Sequence, residues 1–553
     1  MLVLLAALIT IGAACTSSGG RVNRSPTPTF VPPTSVPPSV VGKPNILVLV
    51  IDDQSFHLFN RQLMPHLFAD VIDQGVNLTR AYVNLSLCCP SRSSILTGLY
   101  AHDSGVQSNS DPLDGTTPLR VGFPRVLQSL SYRTMLAGKY LNSEPCSPQP
   151  GWTQWVCGTN TSEMDPSLNI NGTVQKFQGP TSEILAKDVI QFMNADTNPA
   201  HPFFVYYAPK DPHLPANDTR GRNLNIPFYN PPTYDQQVNP QTKPQWAQIP
   251  PRDSATIAKT MRNYEHMAQQ IPPLDGDIHS MLNALGPRAS NTLVIYISDN
   301  GFLYGEHRMT EKTQPYEESI RVPMAIRYPK LLPAAQHFTS NALVENVDIA
   351  PTIMQLVGVP WGADGRSLVP LVERQTTSVR DAALVEWCAA GARMCHTIRG
   401  AGKPPPFWGA ITERYAYISY NTGEKELYDL QRDPFEQTNL AADPANHALV
   451  AQMDATLNTL KAAPPPETTI ALGPSGNVPA GTVSFAFFSQ DRKTGFRCSL
   501  SGPGQKGAEV PCDGGTISYP GLAGGSYTFS VRAAASNGET DPTPAKRTFS
   551  IGG

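Results

Sequence analysis

The sequence predicts an α/β protein, with a smaller α+β section after the main core and a small β-sandwich at the end. Three observations carry that expectation. Apolar residues come in unbroken runs at Ile46 to Ile51, Phe203 to Tyr207 and Leu293 to Ile297. Strands that are apolar on both faces belong to a sheet covered on both sides. Helix-length stretches separate those runs, and each run is followed closely by polar, chemically capable residues. In open α/β sheets, ligands gather beyond the carboxyl ends of the strands. From Glu467 onward the pattern changes to short apolar alternation with Gly, Pro, Ser and Asp turns.

The overall arithmetic sets limits. The 553 residues include 54 prolines and 16% charged residues, with a net charge of 42 − 45 = −3. Proline at that density argues against a helical rod or coiled coil. The absence of a basic excess argues against nucleic acid as a partner.

Residues 1–15 read as an export signal. Met1 to Ala14 is apolar and uncharged, and Gly12-Ala13-Ala14 leads into Cys15. About 14 apolar residues are too few to span a bilayer. The pattern resembles a lipoprotein signal, in which Cys15 would carry a lipid anchor to the membrane. It departs from that signal in having no Lys or Arg before the apolar run and Gly12 where Leu is usual. An ordinary cleaved secretory signal is the alternative, and either reading places the protein outside the cytoplasm. Residues 16–43, rich in Ser, Thr, Gly and Pro, read as an extended spacer.

The main core is expected over 44–370. Its strands are the three runs above plus Thr134 to Ala137, and its helices are Pro65 to Gln74, Ser91 to Thr97, Glu183 to Asn194 and Thr256 to Leu285. A subdomain over 371–462 carries strands at Tyr415 to Tyr420 and Glu426 to Leu430 and a helix at Asn446 to Leu460. After Ala463-Pro464-Pro465-Pro466, residues 467–553 carry strands at Val483 to Phe488, Phe496 to Leu500, Tyr527 to Ala533 and Thr548 to Ile551. Short strands over so few residues suggest a β-sandwich. The stretch from Gly521 to Ala533 and the Asp541-Pro-Thr-Pro turn resemble bacterial Ig-like or fibronectin-like modules.

The residues that carry chemistry follow the strands. Asp52-Asp53 ends the first run, and Asp299-Asn300 follows the run ending at Ile297. These offer oxygen donors alone, which suits a hard cation, Ca²⁺ or Mg²⁺, over zinc. Cys88 precedes Pro90 and an apolar helix, whose free N–H groups stabilise negative charge. Arg92 lies one helical turn further. Lys139 and Lys312 are point charges able to neutralise anionic oxygens. His213, in Asp211-Pro212-His213, is the best placed proton donor.

Cys88-x-Pro90-Ser91-Arg92, followed by Leu96-Thr97-Gly98, resembles the signature of the type I sulfatases. Asp52-Asp53, Gly138-Lys139-Tyr140, Asp211-Pro212-His213, Asp299-Asn300-Gly301, Lys312 and the stretch from Glu426 to Pro434 occur in the order of that family. The resemblance covers about residues 44–460. It implies an alkaline-phosphatase-like core and hydrolysis of sulfate esters. Cys88 would be converted to formylglycine by a maturation enzyme, and its hydrate would be the nucleophile. Ca²⁺ would be held by Asp52, Asp53, Cys88, Asp299 and Asn300. Arg92, Lys139, His213 and Lys312 would complete the catalytic set, with Asn142 contacting substrate; His307, the runner-up histidine, is expected either to contact substrate or to support the residues that do. Cys88-Cys89 and Gly138 to Asn142 look most like the N-acetylglucosamine-6-sulfatases and extracellular 6-O-endosulfatases. That points to a 6-O-sulfated glucosamine glycan as substrate. One departure stands out: many sulfatases have a histidine two or three residues after the lysine, and here Asn142 takes that region.

Two other functions use the same residues, phosphate or phosphonate ester hydrolysis and silent binding of sulfated glycans. Specificity loops are expected within 143–180 and 214–255, where Trp152, Trp155 and Trp246 serve either to stack on sugar rings or to pack. Nine cysteines are accounted for by a lipidated Cys15, a modified Cys88, a buried Cys89 and three pairs by proximity: Cys146–Cys157, Cys388–Cys395 and Cys498–Cys512. Six cysteines allow 15 connectivities.

Overall fold

The computed structural model describes residues 43–552 except 112–121, 159–161, 199, 238, 360, 362, 389–401, 463–467, 490–493, 513–514 and 536–539. Cys15, the spacer and Cys395 lie outside the described residues.

The core is an 11-stranded mixed sheet. Its strands are β1 (Asn45–Ile51), β2 (Val76–Tyr82), β3 (Arg133–Gly138), β4 (Gln154–Gly158), β5 (Ser167–Ile170), β6 (Thr173–Lys176), β7 (Phe203–Ala208) and β8 (Thr292–Ser298). After a two-stranded hairpin, β9 (Leu303–Tyr304) with β10 (Thr310–Glu311), come β11 (Arg321–Arg327), β12 (Phe338–Ser340) and β13 (Val344–Glu345). The spatial order is β12-β2-β11-β8-β1-β7-β3-β4-β5-β6, with β13 also on β2. Strands β8, β1, β7, β3 and β4 run parallel. Antiparallel β11 joins β8 to β2.

The unbroken apolar runs have the expected cause. Ile46, Val48 and Val50 enter one buried cluster, while Leu47, Leu49 and Ile51 enter the cluster on the opposite face. Helices Thr181–Asn194 and Ser254–Ala284 cover the second face through Leu185, Val189, Met267, Ile271, Leu274 and Ile278. The 31-residue helix Ser254–Ala284 passes through Pro272 and Pro273 without ending. Its apolar stripe is buried against the sheet on both sides of the prolines, and this packing outweighs the lost backbone bonds. Asp253 caps its start by accepting from the Thr256 N–H at 2.6 Å.

Part of the stretch expected as a specificity loop, 143–180, is instead sheet. Strands β4, β5 and β6 extend the core there, tied to the preceding segment by the Cys146–Cys157 disulfide. Trp155 is buried in the core at 1% exposure, and Trp152 stacks on Phe204 at 5.6 Å. Trp246 packs against Tyr316 and Tyr420. All three tryptophans therefore pack against protein, Trp155 completely.

A four-stranded meander follows: β14 (Ala382–Trp387), β15 (Phe407–Thr412), β16 (Tyr415–Tyr420) and β17 (Lys425–Asp429). Helix His447–Lys461 seals one face by packing Met453 and Leu457 onto Leu384, Ala410, Tyr417 and Leu427. The chain ends in a three-stranded and a six-stranded sheet. Phe485 of the first stacks on Phe529 of the second at 3.9 Å, and the Cys498–Cys512 disulfide lies in their common core.

Ile297, in β8 between β1 and β11, is fully buried. Ile297→Ala should cost about 2–5 kcal/mol by the cavity it leaves. Urea unfolding measures this; a loss well under 1 kcal/mol would contradict the central position of β8.

Candidate active site

The parallel strands deliver their polar residues to one edge. Asp52 and Asp53 follow β1, Lys139 follows β3, Asp211 to His213 follow β7, and Asp299 and Asn300 follow β8. Asp53 takes a left-handed turn at φ 65°, a conformation that aspartate tolerates as a single residue. Gly138 has φ 116°, and a Cβ there would sit 2.1 Å from the Ala208 carbonyl oxygen. Only glycine lets β3 come that close to β7, where the Lys139 N–H donates to the same oxygen at 2.7 Å.

Cys88 is the first residue of the helix Cys88–Thr97, every residue of which is buried. Asn109 accepts from the Cys89 N–H at 3.0 Å, satisfying a free donor of that first turn. The Cys88 Sγ lies 3.6 Å from Asp52 Oδ1 and 3.1 Å from Lys312 Nζ. Lys139 Nζ donates to Asp52 Oδ2 at 2.7 Å, and Lys312 Nζ pairs with Asp53. Arg92, fully buried, donates from Nε to Asp299 Oδ2 at 2.8 Å and from one terminal nitrogen to the Lys139 carbonyl at 2.9 Å. Its other terminal nitrogen is 3.7 Å from Asp52. Asp299 in turn accepts from the Asp53 N–H at 3.1 Å, and Asn300 donates to Asp53 at 2.6 Å. His213 Nε2 is 3.5 Å from Asp53 Oδ2 with its side chain 29% exposed, the most open member of the group.

Charge decides the protonation states. Burial alone would raise the Asp52 carboxyl, but Lys139, His213, Arg92 and Lys312 outweigh it and hold Asp52 well below the usual carboxylate range. Burial pushes the Cys88 thiol up to about 11, despite the two lysines. An unmodified thiol here is therefore protonated at neutral pH and a poor nucleophile.

Ligand atoms of Asp52, Asp53, Cys88 and His213 all lie within 4.8 Å of one another. Asn300 Oδ1 is buried nearby with no hydrogen-bond partner. The two carboxylates and the orphaned amide oxygen among these groups fit a hard divalent cation.

Two expected substrate contacts are placed differently. Asn142 is exposed in the turn after Leu141, and its backbone bonds the Cys89 thiol. His307 is 1% exposed and stacked on Tyr316 at 4.2 Å, beside Glu318. It belongs to a buried cluster with Glu318 and Glu436, and offers no face to a substrate. Its neighbour Glu306 had no motif to mark it. Glu306 accepts from the Tyr304 N–H at 2.5 Å, and burial followed by the Glu318 charge pushes its carboxyl up to about 8.

The comparisons with known proteins agree with this geometry. Residues 44–359 match the sulfatase family, and residues 305–463 match the C-terminal region of N-sulphoglucosamine sulphohydrolase. The chain belongs to the sulfatase family. Among its relatives is human N-acetylglucosamine-6-sulfatase, 28% identical over 465 residues, covering 72% of this chain and 81% of the relative. An extracellular sulfatase SULF-1 homologue of Drosophila melanogaster is 30% identical over 362 residues, covering 61% of this chain. The chain spans 32% of the length of that relative and 49% of a Caenorhabditis elegans counterpart. A solved structure in complex with D-glucosamine-2-N,6-O-disulfate, described as its substrate, superposes with a TM-score of 0.64 at 23% identity. It covers 75% of this chain and 97% of its own. The phosphonate monoester hydrolase of Agrobacterium radiobacter superposes at 0.59 with 20% identity, covering 76% and 95%.

Glu306 yields a pH prediction. It keeps its proton in the fold but gives it up in the unfolded chain near pH 4.5. Its contribution is complete below about 4.5 and is lost as pH rises to about 8. Glu306→Gln should flatten the fall in unfolding midpoint across that window; an unchanged slope would refute the assignment.

Proposed function

We propose that the protein is a sulfuric ester hydrolase acting on sulfated carbohydrate, with 6-O-sulfated N-acetylglucosamine units of glycosaminoglycan type as the substrate class. The observation that carries the reading is one point of convergence: a buried Cys88, three carboxylates with the Asn300 amide, three cations and one open histidine.

Sulfate-ester cleavage needs a nucleophile, charge balance for the sulfuryl oxygens and a proton for the leaving alcohol. Position 88 supplies the first as formylglycine, whose hydrate offers one hydroxyl for attack and a second for release of sulfate. Asp52, Asp53, Asp299 and Asn300, with residue 88, would hold Ca²⁺ or Mg²⁺, which supplies charge to the anionic ester group. Lys139 and Lys312 face the same point and bind ester oxygens as fixed positive charges. Arg92, locked between Asp52 and Asp299, keeps the carboxylates aligned. His213, at the open side, gives its proton to the departing sugar oxygen. Asn142 is exposed near Lys139 and serves as a substrate contact, not a base. The relatives called extracellular sulfatases support export, with residues 1–15 as signal and Cys15 as the anchor if one is used. The unit over 467–553 reads as an appended Ig-like module.

Phosphate or phosphonate ester hydrolysis is the second reading, because the same charges and nucleophile serve it. Turnover of a sulfate and a phosphate ester of one phenol separates the two; faster phosphoester cleavage would favour the second. Intact-mass analysis of the peptide containing Cys88, from the native host, should show a loss of about 18 Da on oxidation of the thiol to the aldehyde. Unmodified thiol would sink the formylglycine reading. His213→Ala should lower turnover about 10²–10⁴-fold with unfolding unchanged. The loss should be smaller for a substrate whose leaving group needs no proton, such as a nitrophenyl sulfate.

A further inference from the structure

We infer that the protein holds a second divalent ion, of the first-row transition-metal class, between His307 Nε2 and the carboxylates of Glu318 and Glu436. One imidazole nitrogen and two carboxylate oxygens lie within 4.8 Å of one another. His307 Nε2 is 3.6 Å from Glu318 Oε2. His307 and Glu436 are each 1% exposed, and Glu318 is 12% exposed at its side chain.

Each of the three residues points an unused atom into the cluster. His307 Nε2, Glu318 Oε2 and Glu436 Oε1 are buried without a hydrogen-bond partner. Leaving several such atoms together is costly, and in native structures it calls for an explanation. Glu436 Oε2 accepts from the Glu317 N–H at 2.8 Å, and stacking on Tyr316 fixes the plane of the His307 ring.

The neighbouring cations do not fill the gap. Lys243 Nζ donates to the Glu436 carbonyl at 2.8 Å and the Tyr428 hydroxyl at 2.9 Å, and lies 4.0 Å from Glu426. Arg321 turns to Glu317 at 3.4 Å. Burial pushes His307 toward its neutral form, against the pull of Glu318, and a neutral imidazole carries one lone-pair nitrogen. Burial and the charges of Glu317 and Glu318 oppose ionisation of Glu436, and a bound cation would reverse that opposition. A mixed imidazole and carboxylate set suits zinc and its neighbours better than calcium. The inference does not depend on the catalytic reading.

Zinc is the probe. The full chain is stripped with chelator, saturated with Ca²⁺ to occupy the first site, titrated with Zn²⁺ and assayed for bound metal. One zinc per chain is expected, with an anomalous scattering peak beside His307 in crystals of the unmutated protein. His307→Gln and Glu318→Gln, checked for folding by circular dichroism, should each weaken zinc binding at least ten-fold. No zinc above background, a peak elsewhere, or full binding by both folded variants would overturn the site. A variant that fails to fold leaves the decision to the anomalous peak of the unmutated protein.

Discussion

Three carboxylates buried at the end of a parallel sheet must be neutralised within touching distance, and the site is built around that demand. Asp52, Asp53 and Asp299 are almost fully enclosed, where an unpaired charge costs several kcal/mol. Arg92, Lys139 and Lys312 answer them from three different segments. Those segments are fixed by what lies beneath: Arg92 by a buried helix, Lys139 by the contact at Gly138, and Lys312 by the loop after β8. The acids hold the cations in place as much as the cations hold the acids. The positive groups are thereby aimed at one point before anything binds there.

Much of this was legible in the sequence. Strands that cross the centre of the sheet announce themselves as unbroken apolar runs, and the bounds of β1, β7 and β8 fall within a residue of those runs. The polar residues just past those strands could be named because the fold class says where strand ends gather. Elements away from the centre were hidden. β2 alternates buried and half-buried residues, and β6 is exposed throughout, so neither carries the signal. The helix expected over Thr256 to Leu285 is present as Ser254–Ala284 despite Pro272 and Pro273, because tertiary burial prevails over the local preference of proline. His307 reads as a substrate contact because it sits near motif residues, but chain proximity does not report burial. Its partner Glu436 lies far along the sequence, with nothing to link the two before folding.

The cysteines illustrate the same contrast. Cys146–Cys157 and Cys498–Cys512 are disulfides as proximity suggested, and Cys88 and Cys89 are the free cysteines among the described residues. Two adjacent buried thiols have separate surroundings. Cys88 faces carboxylates and lysine at the sheet edge, whereas Cys89 lies against Ser143 and the packing of Val106 and Leu141. One step of a helix turns the side chain through about 100°, and that rotation puts the two thiols in these different surroundings.

The four-stranded meander is joined to the main sheet by more than packing. Arg80 of β2 donates to the carbonyls of Thr412 and Glu413, and Asn84 exchanges bonds with Glu386 of β14. Glu436 caps the turn that carries Glu317 and Glu318. The two matched family regions overlap over 305–359, the stretch that carries Glu317 and Glu318. The boundary expected from the sequence divides the enzyme near residue 371, yet side-chain bonds cross between the two sections. The two sections therefore inherit together: a recombination that swapped one without the other would sever paired buried groups, and descent would be expected to keep them as a single unit.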